Sequence, residues 1–267
     1  MRALLGVNGI TALVLAGSLS GALNPAWAAD LPLKAPPPPP AAVFSWTGFY
    51  VGGNLGGKWA NVSDTVNFAP LAGVLPAGAS QALSDTTPST VLGGIQLGYN
   101  WQAGRFVYGL EGDIDAQHWS ETQVLGTFSQ GTLFVPGDAF SVESHWQASI
   151  RARLGYAWDR TLLYATGGLA LTDVRASSLF VVFGPDPATA GSDSATLVGG
   201  TVGGGLEYAF SNVWSAAIEG RYTWYGSHTF NTGTVALAAP PAFDPVSRTV
   251  DLNTAEVLAK INYRFWK

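Results

Sequence analysis

In this chain, segments of alternating apolar and polar residues are joined by connections that are short and long in strict alternation. Short connections lie at 102–104, 159–160 and 211–212, and long ones span 61–88, 120–142, 176–194 and 228–248. Because the short connections all fall at one end of the predicted sheet, that end is tight and the other carries large loops. This asymmetry is typical of a β-barrel in an outer membrane, with short periplasmic turns and long extracellular loops.

Between these connections, apolar and polar side chains alternate with the two-residue period of a strand. The alternation is clean in 106–118, 145–158, 213–224 and 254–265, and weaker in 46–60, 89–101, 161–175 and 195–210. Eight such strands can close as a meander with both termini at one end, and about 11 residues suit a tilted bilayer crossing. The predicted fold is all-β: an eight-stranded antiparallel transmembrane β-barrel, an up-and-down meander. A soluble β-sandwich is the alternative.

The composition suits strands that contact lipid. Charged residues make up 12% of the chain, whereas a soluble domain usually carries about 25%. The chain has no cysteine, which excludes disulfides and thiol chemistry. Its formal net charge of −5 disfavours nucleic acid as a partner.

The N-terminal region is predicted to be an export signal followed by a tail. Arg2 precedes an apolar stretch, and Ala26 and Ala28 provide the small residues of a cleavage site, so residues 1–28 are predicted to be a signal peptide. An uncleaved membrane anchor is the alternative. Residues 29–42 contain five consecutive prolines and are predicted to be an extended periplasmic tail. The barrel is assigned to 43–267.

Aromatic residues gather at both ends of the predicted strands, at the level where amphipathic rings meet lipid headgroups. Those near the short turns are Tyr99, Trp101, Tyr156, Trp158, Tyr208, Phe210, Trp214, Tyr263 and Phe265. Those toward the long loops are Trp59, Trp119, Trp146, Tyr222 and Trp224. The sequence therefore predicts two aromatic girdles.

The inward-facing positions carry acids and bases in equal number, which must pair if they are buried. They are Lys58, Glu111, Asp113, Asp115, Arg151, Arg153, Glu207, Glu219, Arg221, Glu256, Lys260 and Arg264. The acidic row at 111–115 is expected beside Arg151 and Arg153. An eight-stranded barrel is just wide enough to be filled by side chains. We expect a salt-bridged polar interior, with a narrow charged channel as the alternative.

Residues that could support catalysis are few. The histidines are His118, His145 and His228, and by strand parity His118 points outward while His145 points inward. Serines lie near the first two, but this arrangement is weak support for a hydrolase. Asp113 and Asp115 share a face and are interpreted as charge partners. The expectation is a chain that is not an enzyme and has no cofactor or metal.

Three segments carry a resemblance to a known family. They are Trp-Thr-Gly-Phe-Tyr-Val-Gly-Gly-Asn-Leu-Gly-Gly at 46–57, Leu-Tyr-Ala-Thr-Gly-Gly-Leu-Ala at 163–170 and Ile-Asn-Tyr-Arg-Phe at 261–265. The chain resembles small alphaproteobacterial outer-membrane β-barrel proteins of the opacity-protein-like, porin-related superfamily. The resemblance implies surface exposure, roles in envelope integrity or host contact, and no catalytic residues. Such barrels commonly end on an aromatic residue that the assembly machinery reads, whereas Trp266 and Lys267 follow Phe265 here.

Function is expected to lie in the four loops, since loops on a rigid scaffold carry recognition. Their charges are acidic, with Asp64 among them and Arg248 as the one base. Their apolar residues, such as Phe134 and Phe180, are expected to pack together or to extend the strands. The prediction is a structural outer-membrane protein that interacts with surfaces, and the alternative is a small porin. Expected partners are outer-membrane lipid and lipopolysaccharide, the assembly machinery through the C-terminal strand, and host or envelope surfaces.

Overall fold

A computed structural model describes residues 44–70, 78–125, 134–181, 189–236 and 243–265. Its strands are β1 (Gly48–Phe68), β2 (Ser80–Ala82), β3 (Ser89–Ala103), β4 (Phe106–Val124), β5 (Ala139–Trp158), β6 (Thr161–Phe180), β7 (Thr189–Tyr208), β8 (Trp214–Ala236) and β9 (Phe243–Arg264). Within these ranges no helix is long and apolar enough to cross a membrane. The predicted signal peptide, the proline-rich tail, Trp266 and Lys267 lie outside the described residues, so the domain boundaries stay predictions.

The long strands form one antiparallel sheet that closes on itself. Each pairs with the next in the chain, and β1 closes the ring by pairing with β9 from Tyr50↔Arg264 to Phe68↔Val246. The short β2 pairs with the outer end of β1. Closure leaves no free edge to face hydrocarbon at the β1–β9 seam. The predicted eight-stranded antiparallel barrel is confirmed.

Tight turns join the strands at the end where the chain enters the barrel. Gly104 and Asp159 adopt left-handed backbone with φ of 62° and 51°, a conformation that glycine and aspartate tolerate better than most residues. β3 continues to Ala103, so the first turn is Gly104–Arg105, shifted slightly from the predicted 102–104.

The strands run much further outward than the sequence periodicity suggested. β1 has 21 residues, β8 has 23 and β9 has 22, whereas about 9–11 tilted residues cross a bilayer. Roughly half of each strand therefore projects beyond the membrane. The regions predicted as four long loops are largely strand, in agreement with the interpretation that they extend the barrel.

In this extension, the hydrogen-bonded pairing of one pair of neighbouring strands, β7 and β8, is interrupted. β7 and β8 pair only from Tyr208↔Ala216 to Gly200↔Trp224. There β8 bulges and Gly226 takes a positive φ of 70°, which displaces the register. Further out, the Asn231 amide donates to Asp193 Oδ2 over 2.9 Å.

The two faces of the sheet differ as predicted, with two corrections. Large apolar side chains such as Ile95, Leu110 and Ile218 point outward and are more than half exposed. Trp119, predicted in the outer girdle, is instead buried in the interior. His145, predicted to point inward, is exposed because a β-bulge between Glu143 and Gln147 reverses the parity there.

Candidate functional site

The barrel interior is layered along its axis, and β1 shows the order. The buried residues of β1 run from Tyr50 through Asn54 and Lys58 to Ala60, and then outward to apolar positions with Asp64 among them. The inner half of the strand thus faces a polar layer and the outer half faces a mostly apolar core. Most buried charged side chains therefore lie at membrane depth, and most buried apolar ones lie outside the membrane.

Arg151 lies at the centre of the polar layer. Its Nη2 donates to Glu111 Oε1 and Asp113 Oδ2, each over 2.6 Å, and its Nη1 donates to Glu219 Oε1 over 2.5 Å. Lys260 Nζ reaches the same two glutamates, at 2.8 Å from Glu111 and 2.7 Å from Glu219. All five side chains are at most 1% exposed. Two cations therefore share three carboxylates in a dry environment.

Arg221 continues the network toward the outer end. Its Nη1 lies 3.2 Å from Asp113, 3.5 Å from Glu256 and 3.8 Å from Asp115. Lys58 completes this side at 3.5 Å from Glu256. Arg221 on β8 reaches across the lumen to Asp113 and Asp115 on β4, whereas Glu256 lies directly opposite both Lys58 and Arg221 on the adjacent strands.

Arg153 departs from its predicted partner. It lies opposite Gly109 rather than beside the acidic row, and it pairs with Glu207, on β7. Its guanidinium also stacks on the Tyr164 ring at 3.7 Å. Asn262 donates to Glu207 over 3.0 Å, so both ends of this pair are held by further side chains.

Arg264 is the exception among the predicted interior charges. Among the described residues it pairs with no carboxylate, and its Nη1 donates to the Ser45 carbonyl over 2.6 Å. Its guanidinium lies 4.6 Å from the Phe44 ring centre and 4.8 Å from that of Trp46. Cation–π contacts thus replace the expected salt bridge.

Residues 44–47 form a plug in the periplasmic mouth of the barrel. Trp46 is 1% exposed and packs with inward residues of the strand ends, namely Val107, Ala157, Leu162, Tyr164 and Ala209. Its amide donates to Gln102 Oε1 over 2.6 Å and its indole N–H to the Asp159 carbonyl over 3.3 Å. The plug therefore ties the periplasmic end of β3 and the turn at Asp159 to the barrel entrance.

Replacing Trp46 with Ala is expected to lower the free energy of unfolding by about 3–5 kcal/mol, because a large buried ring and the hydrogen bond of its indole N–H are lost. The measurement is urea unfolding of the barrel in phospholipid vesicles, followed by tryptophan fluorescence. Trp158→Ala is the matched control, since Trp158 is 51% exposed on the outer face. Equal losses in the two variants would contradict a structural role for the plug.

Outward of the polar layer the interior is mostly apolar. One cluster includes Val62, Trp119, Phe230 and Leu252, and a second, further out, includes Phe68, Phe134, Phe140 and Phe180. All of these residues except Leu252 were predicted in loops or girdles, and strand extension turns them into a core.

A single ion pair separates the two apolar clusters. Arg248 pairs with Asp64, and its Nη1 also donates to the carbonyls of Ser141 and Ser177 over 3.0 and 2.6 Å. Both charged residues were predicted to be loop charges, but they lie in β1 and β9 and are buried. Their burial corrects that prediction and ties β1 and β9 to the opposite wall of the barrel.

Asp138 holds the outer end of the second cluster. Its carboxylate accepts the amides of Val135 and Val181 over 2.9 and 2.7 Å. Burial raises the pKa of Asp138, and the two N–H donors oppose that rise. The segment before β5 is thereby fixed to the segment after β6.

Sequence reasoning missed the uncharged members of the polar layer. Tyr50 donates to Glu111 over 2.8 Å, Tyr164 to Glu219 over 2.9 Å and Asn54 to Asp115 over 2.8 Å. Tyr50 and Asn54 share the parity of Lys58 on β1, which is the signal that could have revealed them. The glycines around them blurred that signal.

Comparison with known proteins places the chain in a family. A family model for the outer membrane protein beta-barrel domain matches residues 35–265. The chain belongs to this family. It is an outer-membrane protein of the Gram-negative type, as the fold and the turn asymmetry predicted.

Curated relatives carry outer-membrane names. The chain is 35% identical over 212 residues to the 31 kDa outer-membrane immunogenic protein of Brucella melitensis, covering 75% of this chain and 81% of that protein. It is 32% identical over 189 residues to the 22 kDa outer membrane protein of Rhizobium leguminosarum, covering 70% and 68%. None of these names describes an enzyme.

Solved structures are less similar to this chain than the curated relatives are in sequence. The outer membrane protein OprG from Pseudomonas aeruginosa matches with a TM-score of 0.47 and 11% identity, over 83% of this chain and 97% of OprG. Neisserial surface protein A matches with a TM-score of 0.37 and 14% identity, over 82% and 98%.

Proposed function

We propose that this protein is a non-enzymatic scaffold of the outer membrane, closed to solutes, that serves envelope structure and presents its outer end to surfaces. The observation that carries the proposal is the filled interior. The aromatic plug, the salt-bridged layer and the two apolar clusters follow one another along the barrel axis. A solute would have to displace each layer in turn.

The competing function is a small porin, and the charge arrangement disfavours it. A conducting pore needs a continuous hydrated path, whereas Arg151 bonds across the lumen to Glu219, Lys260 bonds across it to Glu111, and all four side chains have exposures near zero. An eight-stranded barrel offers little room beyond its own side chains. The apolar outer half adds a dry barrier in series.

Conduction tests this proposal directly. We expect the purified full-length chain in planar lipid bilayers to give no stable current steps, because the ion pairs leave no open path. Insertion is verified in parallel by the altered gel mobility of unboiled protein, and a large general porin in the same bilayers shows that the assay detects channels. Large, stable single-channel currents would favour the porin instead.

The proposal that the protein is not an enzyme is supported by the surroundings of its serines. Ser144 Oγ bonds to Gln117, Thr172 and Asp173, and no serine hydroxyl bonds to a histidine ring within the described ranges. Ser144 therefore lacks a bonded imidazole, the general base that commonly activates a serine nucleophile. The relatives' names agree with this proposal.

The proposed partners follow from the surfaces. The apolar outward face suits outer-membrane lipid, and the strand extension reaches the level of lipopolysaccharide. The Tyr263–Phe265 end of the last strand is proposed to be read by the assembly machinery. The outer end is proposed to contact host or envelope surfaces, as the name "immunogenic" suggests for the Brucella relative.

A further inference from the structure

Two β-bulges lie side by side on the outer face of β4 and β5, and each presents a histidine. The first interrupts the β4–β5 register between Ala116 and Trp119 and presents His118. The second interrupts the β5–β6 register between Glu143 and Gln147 and presents His145. Bulges redirect side chains and are common beside functional sites. Here the second bulge turns His145 outward beside His118, which already points outward by strand alternation, so two of the chain's three histidines lie together.

The spacing of the two rings fits a shared metal ion. A metal–nitrogen bond of about 2.0–2.1 Å puts each ring centre roughly 3.2 Å from the ion, so tetrahedral geometry separates two ring centres by about 5.2 Å. The centres of His118 and His145 are 5.2 Å apart, and the rings are tilted by 38°. Both side chains are exposed, so an ion can reach them from solvent.

Asp173 orients one of the two imidazoles. Its Oδ1 accepts the amides of His145 and Trp146, each over 2.8 Å, and its Oδ2 lies 3.2 Å from His145 Nδ1. An ionised carboxylate only accepts hydrogen bonds, so a neutral His145 carries its proton on Nδ1 and its lone pair on Nε2. Metal-ligating histidines commonly donate their second nitrogen to a carboxylate in this way.

The His118 ring is also available to bind an ion. Its ring makes no hydrogen bond to any other residue in the described ranges, and its neighbour is the His145 ring. No cluster of three or more His, Asp or Glu side chains arranged for a metal occurs among the described residues. The site is therefore a pair of imidazoles with open coordination positions for solvent or an external ligand.

We propose that His118 and His145 bind a first-row divalent transition cation such as Zn²⁺ or Cu²⁺ on the outer surface of the barrel, with Asp173 as a positioning residue. Imidazole nitrogen suits these ions, whereas Ca²⁺ and Mg²⁺ prefer oxygen ligands. The site lies outside the sealed interior and does not depend on whether the barrel conducts.

Metal titration of the untagged, detergent-solubilised barrel tests the proposal, since a polyhistidine tag would mask the site. Isothermal titration with ZnCl₂ in excess CaCl₂ is expected to show one ion bound per chain. His118→Ala and His145→Ala are each expected to weaken binding at least about tenfold, and Asp173→Asn about tenfold. His228→Ala is the matched control and is expected to bind like the wild type, because that ring packs on Phe230 at 4.9 Å.

Copper spectroscopy supplies a second readout for Asp173: the Asp173→Asn variant is expected to keep coupling to two imidazole nitrogens while it binds Cu²⁺ more weakly, whereas a structural loss would remove the coupling. Paramagnetic resonance of the Cu²⁺-loaded barrel is expected to show coupling to two imidazole nitrogens, and to lose one of them in either single histidine variant. Unchanged gel mobility of the unboiled variants verifies that they fold. Equal Zn²⁺ binding by the double variant His118→Ala/His145→Ala, or displacement of Zn²⁺ by Ca²⁺, would overturn the proposal in favour of surface carboxylates.

Discussion

Arg151→Met is expected to lower the free energy of unfolding by about 3–5 kcal/mol, because it leaves three buried carboxylates with too little positive charge. Arg151 donates to Glu111, Asp113 and Glu219 at 2.5–2.6 Å, and Lys260 and Arg221 cannot replace all three bonds. Arg151→Lys keeps the charge but loses the planar fork, so an intermediate loss is expected. The measurement is equilibrium unfolding by urea in phospholipid vesicles.

The matched control for Arg151 is an exposed ion pair on the same sheet. Arg175 lies 3.8 Å from Glu143 with more than half of its side chain exposed, and such pairs contribute less than about 1 kcal/mol. Arg175→Met should therefore unfold close to the wild type. If Arg151→Met also stayed within that limit, the interior carboxylates could not depend on Arg151 for their stability.

Asp64→Ala is expected to cost about 3–5 kcal/mol, since it leaves the Arg248 guanidinium buried between two apolar clusters without its counter-charge. The double variant Asp64→Ala/Arg248→Met removes both charges and lets an adaptable apolar side chain fill the space, so most of the lost stability should return. Urea unfolding compares the wild type, the single variants Asp64→Ala and Arg248→Met, and the double variant.

Hydrogen exchange shows which part of the barrel is destabilised by Asp64→Ala. Asp64 and Arg248 lie in the outer halves of β1 and β9, so Asp64→Ala should speed exchange of amides outward of Ala60 before it affects the membrane-spanning halves. A double variant no more stable than Asp64→Ala would show that the single loss does not come from an uncompensated Arg248. Uniform exchange along the strands would contradict an outer core that unfolds separately.

The inner half of the barrel could be predicted because its sequence pattern depends on near neighbours in the chain. Alternation in 106–118 and 254–265 gave the face of every charged residue there, and all twelve predicted interior charges are buried. The sequence predicted less well which charged residues pair with each other. Arg153 joins Glu207 on β7, and Arg264 joins Phe44 and Trp46, because pairings across a lumen depend on strand tilt and side-chain reach.

The outer half of the barrel was harder to predict from the sequence, for physical reasons. Glycines and bulges interrupt the two-residue period, so one extra residue at 143–147 was enough to turn His145 from the lumen to the surface. Inward positions there are apolar, as in a soluble core, and so Phe134 and Phe180 resembled loop residues. Once the strands are known to continue, the same residues are explained by burial.

The sequence by itself determined the compartment, the strand count, the direction of the barrel and the charged face of its membrane half. These follow from turn lengths and two-residue periodicity, which act between near neighbours in the chain. Tertiary structure decided which charges meet, how far the strands extend, that residues 44–47 close the periplasmic mouth, and that His118 and His145 lie together. Each of these depends on distances between strands remote in sequence, which only closure of the sheet sets.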